Sequence, residues 1–169
     1  RSSNWYPNLI DSTRGGTKLL RSASNIVEAT SATAVTAFDS DGFSLGSEET
    51  LNSNTVSHVA WQWKANGGTT TTNDASATSV GTIDSVYQAN TTAGFSIVTY
   101  TGTGSAGTIA HGLGAVPVWY IVKGRNKEDG WFIYHHNNTA APETDFLRLD
   151  NTDATTDLAG IFNDTAPTS

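Results

Sequence analysis

Val116-Pro117-Val118-Trp119-Tyr120-Ile121-Val122-Lys123, then Arg125-Asn126-Lys127-Glu128-Asp129-Gly130, then Trp131-Phe132-Ile133-Tyr134-His135-His136 is the stretch that decides the fold. β-Branched and aromatic residues fill the two outer runs, and the polar run between them ends in Asp-Gly. Residues 116–136 therefore read as an antiparallel hairpin. The first run carries apolar residues on both faces, as strands covered from both sides do. Gly94-Phe95-Ser96-Ile97-Val98-Thr99-Tyr100-Thr101 has the same character, and Phe146-Leu147-Arg148-Leu149 supplies the strand after the hairpin.

Working outward, Phe38-Asp39-Ser40-Asp41-Gly42-Phe43 holds a second Asp-Gly turn between aromatics, and Leu19-Leu20-Arg21 and Ile26-Val27 are further short strands. In His58-Val59-Ala60-Trp61-Gln62-Trp63-Lys64 the alternation is strict. Val59, Trp61 and Trp63 fall on one face, His58, Gln62 and Lys64 on the other, so both tryptophans are expected in a core. No long stretch repeats apolar residues at helical spacing. The class is all-β, an antiparallel β-sandwich or jelly roll, since strands recur about every ten residues.

Ala65 to Ala77, ANGGTTTTNDASA, lacks any bulky apolar residue. It reads as a linker over 65–79, dividing 1–64, the C-terminal part of one sandwich unit, from 80–169, the start of a second. A permuted repeat supports tandem units. Arg1-Ser2 answers Arg125-Asn126, Trp5-Tyr6 answers Trp131-Phe132, Leu20-Arg21 answers Leu147-Arg148, and Phe38-Asp39 answers Phe162-Asn163. With Arg1 in the place of an initiator Met, the chain is expected to be a piece of a longer polypeptide.

A formal net charge of −7 opposes binding of nucleic acid, which needs clustered Lys and Arg. Only 15% of residues are charged, so the solvated faces rest on Ser, Thr and Asn. The chain has no Cys, which excludes disulfides and thiolate metal sites. No apolar run approaches the ~20 residues of a membrane-spanning helix.

Phe38-Asp39-Ser40-Asp41-Gly42-Phe43-Ser44-Leu45-Gly46 followed by Val59-Ala60-Trp61-Gln62-Trp63-Lys64-Ala65 resembles a repeat of marine phage, cyanophage-type, tail-fibre-like proteins. Gly94 to Gly102, then His111-Gly112-Leu113-Gly114, Pro117, Ile121-Val122-Lys123 and Trp131 to His135 resemble the start of the next unit. The resemblance implies a lectin-like β-sandwich and a virion or other extracellular location. It also implies a structural or host-attachment role, with other virion proteins or further copies of the chain as partners. Fibres of this kind are commonly trimers. Host-surface glycans are the ligand class that such a module would contact. A polysaccharide-degrading sandwich and a bacterial surface lectin are the alternatives.

His111, Gly112 and Gly114 are the candidate ligand-binding residues, as a sugar-contacting loop. A tight turn with glycines at positive φ explains the same residues more simply. Asp39 and Asp41 have the spacing of oxygen ligands in calcium loops, but Phe, Ser, Leu and Gly follow Gly42 where further ligands are needed, so a hairpin turn is preferred. Adjacent His135 and His136 point to opposite faces of a strand and cannot chelate one metal unaided. No nucleophile elbow, carboxylate pair or phosphate loop stands out, and no cofactor, metal or catalytic residue is expected.

Overall fold

A computed structural model describes residues 6–169. In chain order its elements are β1 (Asn8–Leu9), β2 (Lys18–Arg21), β3 (Ala29–Thr30), β4 (Val35–Asp39), β5 (Gly42–Leu45), α1 (Glu49–Asn52), β6 (Thr71–Asn73), α2 (Ala75–Thr78), β7 (Ser85–Asn90), β8 (Phe95–Tyr100), β9 (Trp119–Lys123), β10 (Trp131–His135), β11 (Asp145–Arg148), β12 (Thr156–Asp157) and α3 (Ala159–Phe162). Among the described residues these strands pair antiparallel in the orders β1-β2-β3, β4-β5, β6-β7-β8 and β12-β11-β10-β9, and an isolated parallel bridge joins Ile83 to Ile109. The fold is all-β and sandwich-like, and the helices are single turns.

The compact units differ from the serial pieces 1–64 and 80–169. One gathers 6–10, 15–59 and 118–167, the other 11–14, 60–117 and 168–169. In the first, the 116–136 hairpin closes with Trp131 opposite Lys123 and His135 opposite Trp119. Leu19, Leu20, Ala34, Val35, Trp131, Ile133, Tyr134 and Phe146 form its buried apolar set. The Trp131 indole N–H donates to the carbonyls of Arg21 at 3.1 Å and Ser24 at 3.0 Å, tying β10 to the end of β2. Ile26-Val27 forms no strand. Its neighbours bond the 124–130 turn instead, Asp129 N–H to the Asn25 carbonyl and Glu28 N–H to the Arg125 carbonyl. Arg125 also holds the Glu28 carboxylate bidentately at 2.9 and 2.8 Å.

In the second unit, β7 pairs with β8 over six residue pairs, from Ser85↔Tyr100 to Asn90↔Phe95. Its centre is polar. Gln88 is 0% exposed, and its amide is fully used. Oε1 accepts from Gly68 N–H at 2.8 Å, and Nε2 donates to Thr13 Oγ1 at 2.8 Å and Ser12 Oγ at 3.1 Å.

The stretch expected to be a linker is ordered. It contains β6 and α2, and Ala65, Asn73 and Ala75 are buried. Side-chain hydrogen bonds replace apolar burial there. Asp74 caps α2 by accepting from Ser76 and Ala77 N–H, Asp84 accepts from Ala75 N–H, and Asn73 donates to the Val80 carbonyl while accepting from Thr78.

The reading of His58–Lys64 as a core strand is corrected. These residues belong to no strand, and Val59, Trp61 and Trp63 are 70%, 73% and 62% exposed. The alternation is present, but no neighbouring strand edge meets it among the described residues. In the permuted repeat, Arg1, Ser2 and Trp5 lie outside the described residues. Leu20-Arg21 and Leu147-Arg148 both end strands, whereas Phe38-Asp39 ends β4 and Phe162 ends α3 with Asn163 as its C-cap.

Candidate functional site

His111-Gly112-Leu113-Gly114 is a turn whose polar groups are consumed internally. The His111 ring accepts from Leu113 N–H at Nδ1, 3.2 Å away, and Nε2 lies 3.1 Å from the Thr168 carbonyl, to which it donates. The His111 carbonyl accepts from Ser96 Oγ at 2.6 Å. Gly112 has φ +70°, and a Cβ there would overlap the Tyr87 ring, so conformation and close approach both require glycine. Gly114, at φ +66°, faces open space. Neither ring nitrogen of His111 is left to meet a ligand.

Asp39 and Asp41 sit on the β4–β5 hairpin, where Asp39 pairs with Gly42 across a two-residue loop. Asp39 accepts from Ser44 Oγ at 2.8 Å, a bond that fixes the turn. Among the described residues, no group of three or more His, Asp or Glu is placed to hold a metal ion. His135 and His136 have ring centroids 5.3 Å apart, tilted by 43°.

Around the 124–130 turn, burial lowers the Lys123 pKa, against the nearby Asp129 and Asp150 charges that raise it. Its Nζ donates to the Gly124 carbonyl at 2.6 Å. The Asp129 carboxyl is held below its usual range, chiefly by a hydrogen bond from Lys127, 2.9 Å away. Arg148 stacks over Phe132 at 4.9 Å and Phe146 at 5.3 Å. Lys123, Arg125, Lys127, Asp129 and Asp150 each have a partner that holds the turn.

Exposed aromatics occur at Phe38, Tyr100 and Trp119 and, most exposed of all, at Trp61 and Trp63. Trp63 stacks on Phe95, the first residue of β8, with centroids 6.2 Å apart and planes at 21°. Beyond it lies an open depression of about 410 Å³ lined by Lys64, Ala65, Asn66, Gly67, Ala89, Asn90 and Thr91. Asn90 shapes it by donating to the Lys64 carbonyl at 3.1 Å and accepting from Ala93 N–H at 2.9 Å. Sequence reading missed this depression, because Asn66 and Asn90 sit in stretches with the composition of ordinary turns. The exposed tryptophans were visible in sequence but assigned to the wrong environment.

Over residues 1–169 the chain matches the family described as domain of unknown function (DUF7483). No curated protein and no solved structure matches it significantly. The chain belongs to the DUF7483 family.

Proposed function

We propose that this DUF7483 domain is a non-catalytic structural or adhesive module of a phage appendage of the tail-fibre kind, acting on the virion outside the cell. One observation carries the reading: Val59, Trp61 and Trp63, within five residues, are the three most exposed large hydrophobic side chains among the described residues. Large apolar side chains exposed this close together mark a contact surface, and aromatic residues are enriched where proteins meet partners. The resemblance to phage tail-fibre repeats supplies the setting. Host-surface glycans are a second contact within this reading, because Lys64 and Thr91, which line the depression, carry ammonium and hydroxyl groups of the kind that hydrogen-bond sugar hydroxyls. The perturbed groups, Lys123 and Asp129, have adequate structural roles in a turn, and no reaction is assigned to them.

Mass spectrometry of purified particles from a phage that encodes the chain should recover its peptides at structural stoichiometry. Incubation of the purified chain with host polysaccharides should release no new reducing or unsaturated ends. Absence from the particles would remove the virion reading. Release of oligosaccharides that a single carboxylate substitution abolishes would replace it with a depolymerase.

A further inference from the structure

Asn66 is the only asparagine in the sequence that precedes a glycine. It opens the turn Asn66-Gly67-Gly68-Thr69, which Thr69 N–H closes by donating to the Asn66 carbonyl at 3.0 Å. φ is +59° at Gly67 and +87° at Gly68, the mirror-image turn geometry that glycine adopts without strain. Asn66 and Gly67 are both exposed, and the space where a Cβ of Gly67 would stand is empty. Gly67 N–H donates to no group among the described residues, whereas the next amide, Gly68 N–H, is held by Gln88 Oε1 at 2.8 Å. A single bond tethers the Asn66 amide, from Nδ2 to the Thr69 carbonyl at 3.2 Å, the long end of the normal range. Its Oδ1 accepts none among the described residues.

We propose that Asn66 is a site of spontaneous modification, at which the main-chain nitrogen of Gly67 attacks the Asn66 side chain and converts it to an aspartyl or isoaspartyl residue. The reaction needs a main-chain nitrogen that can lose its proton, open space around that nitrogen, and water. Gly67 meets the first two, because its N–H has no bond to break and it carries no side chain. Exposure of the turn meets the third. Once hydroxide has taken the proton, the nitrogen bonds to Cγ and closes a five-membered ring. The Cγ–Nδ2 bond then breaks, and Nδ2 takes a proton from water and leaves as ammonia. A second step opens the cyclic imide with water. Addition at Cγ leaves an aspartyl side chain, and addition at the main-chain carbonyl carbon leaves isoaspartyl, with the chain running on through Cγ. The balance is one water consumed and one ammonia released, with no oxidant or reductant. Asn90, across the same depression, lacks these features: Thr91 follows it, and its amide both donates and accepts. Lys64 is the only charged residue that lines the depression, so a carboxylate at position 66 would cancel its charge and take the donor from the Thr69 carbonyl. The inference goes beyond the module's setting, because the chemistry belongs to the turn whatever assembly the chain serves.

The full chain, aged in mildly alkaline buffer without denaturant and mapped by mass spectrometry of its peptides, tests this. The amide-to-acid mass gain should reach residue 66 at least about tenfold faster than any other asparagine, a barrier about 1.4 kcal/mol lower. The rate should rise with hydroxide, and an isoaspartate-specific methyltransferase should label the aged chain. Asn66→Gln keeps an amide at the position but requires a six-membered ring, so that variant should show neither the early mass gain nor the early label. The proposal is overturned if residue 66 converts no faster than the other asparagines, or if it converts only in denaturant, which would make the folded turn a protection. An aspartyl product without isoaspartyl would also overturn it, since direct hydrolysis gives that product and the ring does not.

Discussion

Gln88 shows how a chain with few bulky apolar residues can still fix a centre: one buried amide joins the backbone of Gly68 to the hydroxyls of Ser12 and Thr13. Gln88→Ala leaves those groups without their partner, at about 1–3 kcal/mol for each one that water cannot reach. Denaturant melts should show a loss of this size, and an unchanged midpoint would mean that the network is solvated. The tryptophans make the opposite contrast. Trp131 is 3% exposed and doubly hydrogen-bonded, so Trp131→Ala should cost about 3–5 kcal/mol. Trp61→Ala should change the stability of the dilute monomer by less than about 0.5 kcal/mol. Comparable losses at both positions would contradict the exposure of Trp61.

At the level of elements, the 124–130 turn carries a pH dependence whose sign follows from Asp129. Its pKa is depressed in the folded state, first by the Lys127 hydrogen bond, so the stabilisation is present above the ordinary carboxylate value near 3.9. It is lost as pH falls through the depressed value. The side chains are 69% and 30% exposed for Lys127 and Asp129, which limits the effect to under about 1 kcal/mol. The stability gap between wild type and Lys127→Ala should therefore shrink toward zero below about pH 4, and a gap that widens in acid would refute the assignment. The Asp-Gly turns at 41–42 and 129–130 and the strand character of the runs around β8 to β11 were legible in the sequence, but the expected cover on both faces was not found: β8 and β9 are end strands of their sheets, with Tyr100 and Trp119 exposed. β6 and α2 were not legible, because Asn73, Asp74 and Asp84 hold them by side-chain bonds that look like linker composition. The alternation at 58–64 was legible too, yet alternation reports only a preference for strand and says nothing about which edge completes it. In the candidate site, the His111 turn was readable from its glycines, while the Asn66 and Asn90 depression depends on contacts between distant stretches.

For the whole molecule, a formal charge of −7 sets the terms on which copies approach one another. Like-charged copies repel, and salt screens that repulsion over a Debye length of about 10 Å at 0.1 M. Any association of copies should therefore tighten, not weaken, as NaCl rises from about 0.02 to about 0.5 M. Sedimentation across that series checks it, and a weaker association at high salt would point to ion pairs as the adhesive. The bond from the Trp131 indole to the Arg21 carbonyl spans 110 positions of sequence, and it has a consequence for synthesis. A ribosome adding about 5–20 residues per second needs roughly 5–20 s to travel from one to the other. Throughout that interval Leu19 and Leu20 have been made but the indole that anchors their strand has not, whereas residues 60–117 emerge as one continuous run. The nascent chain thus completes its interior segment first and leaves its earliest strands waiting, so slowing translation between residues 60 and 118 should lengthen the period in which a chaperone can capture them.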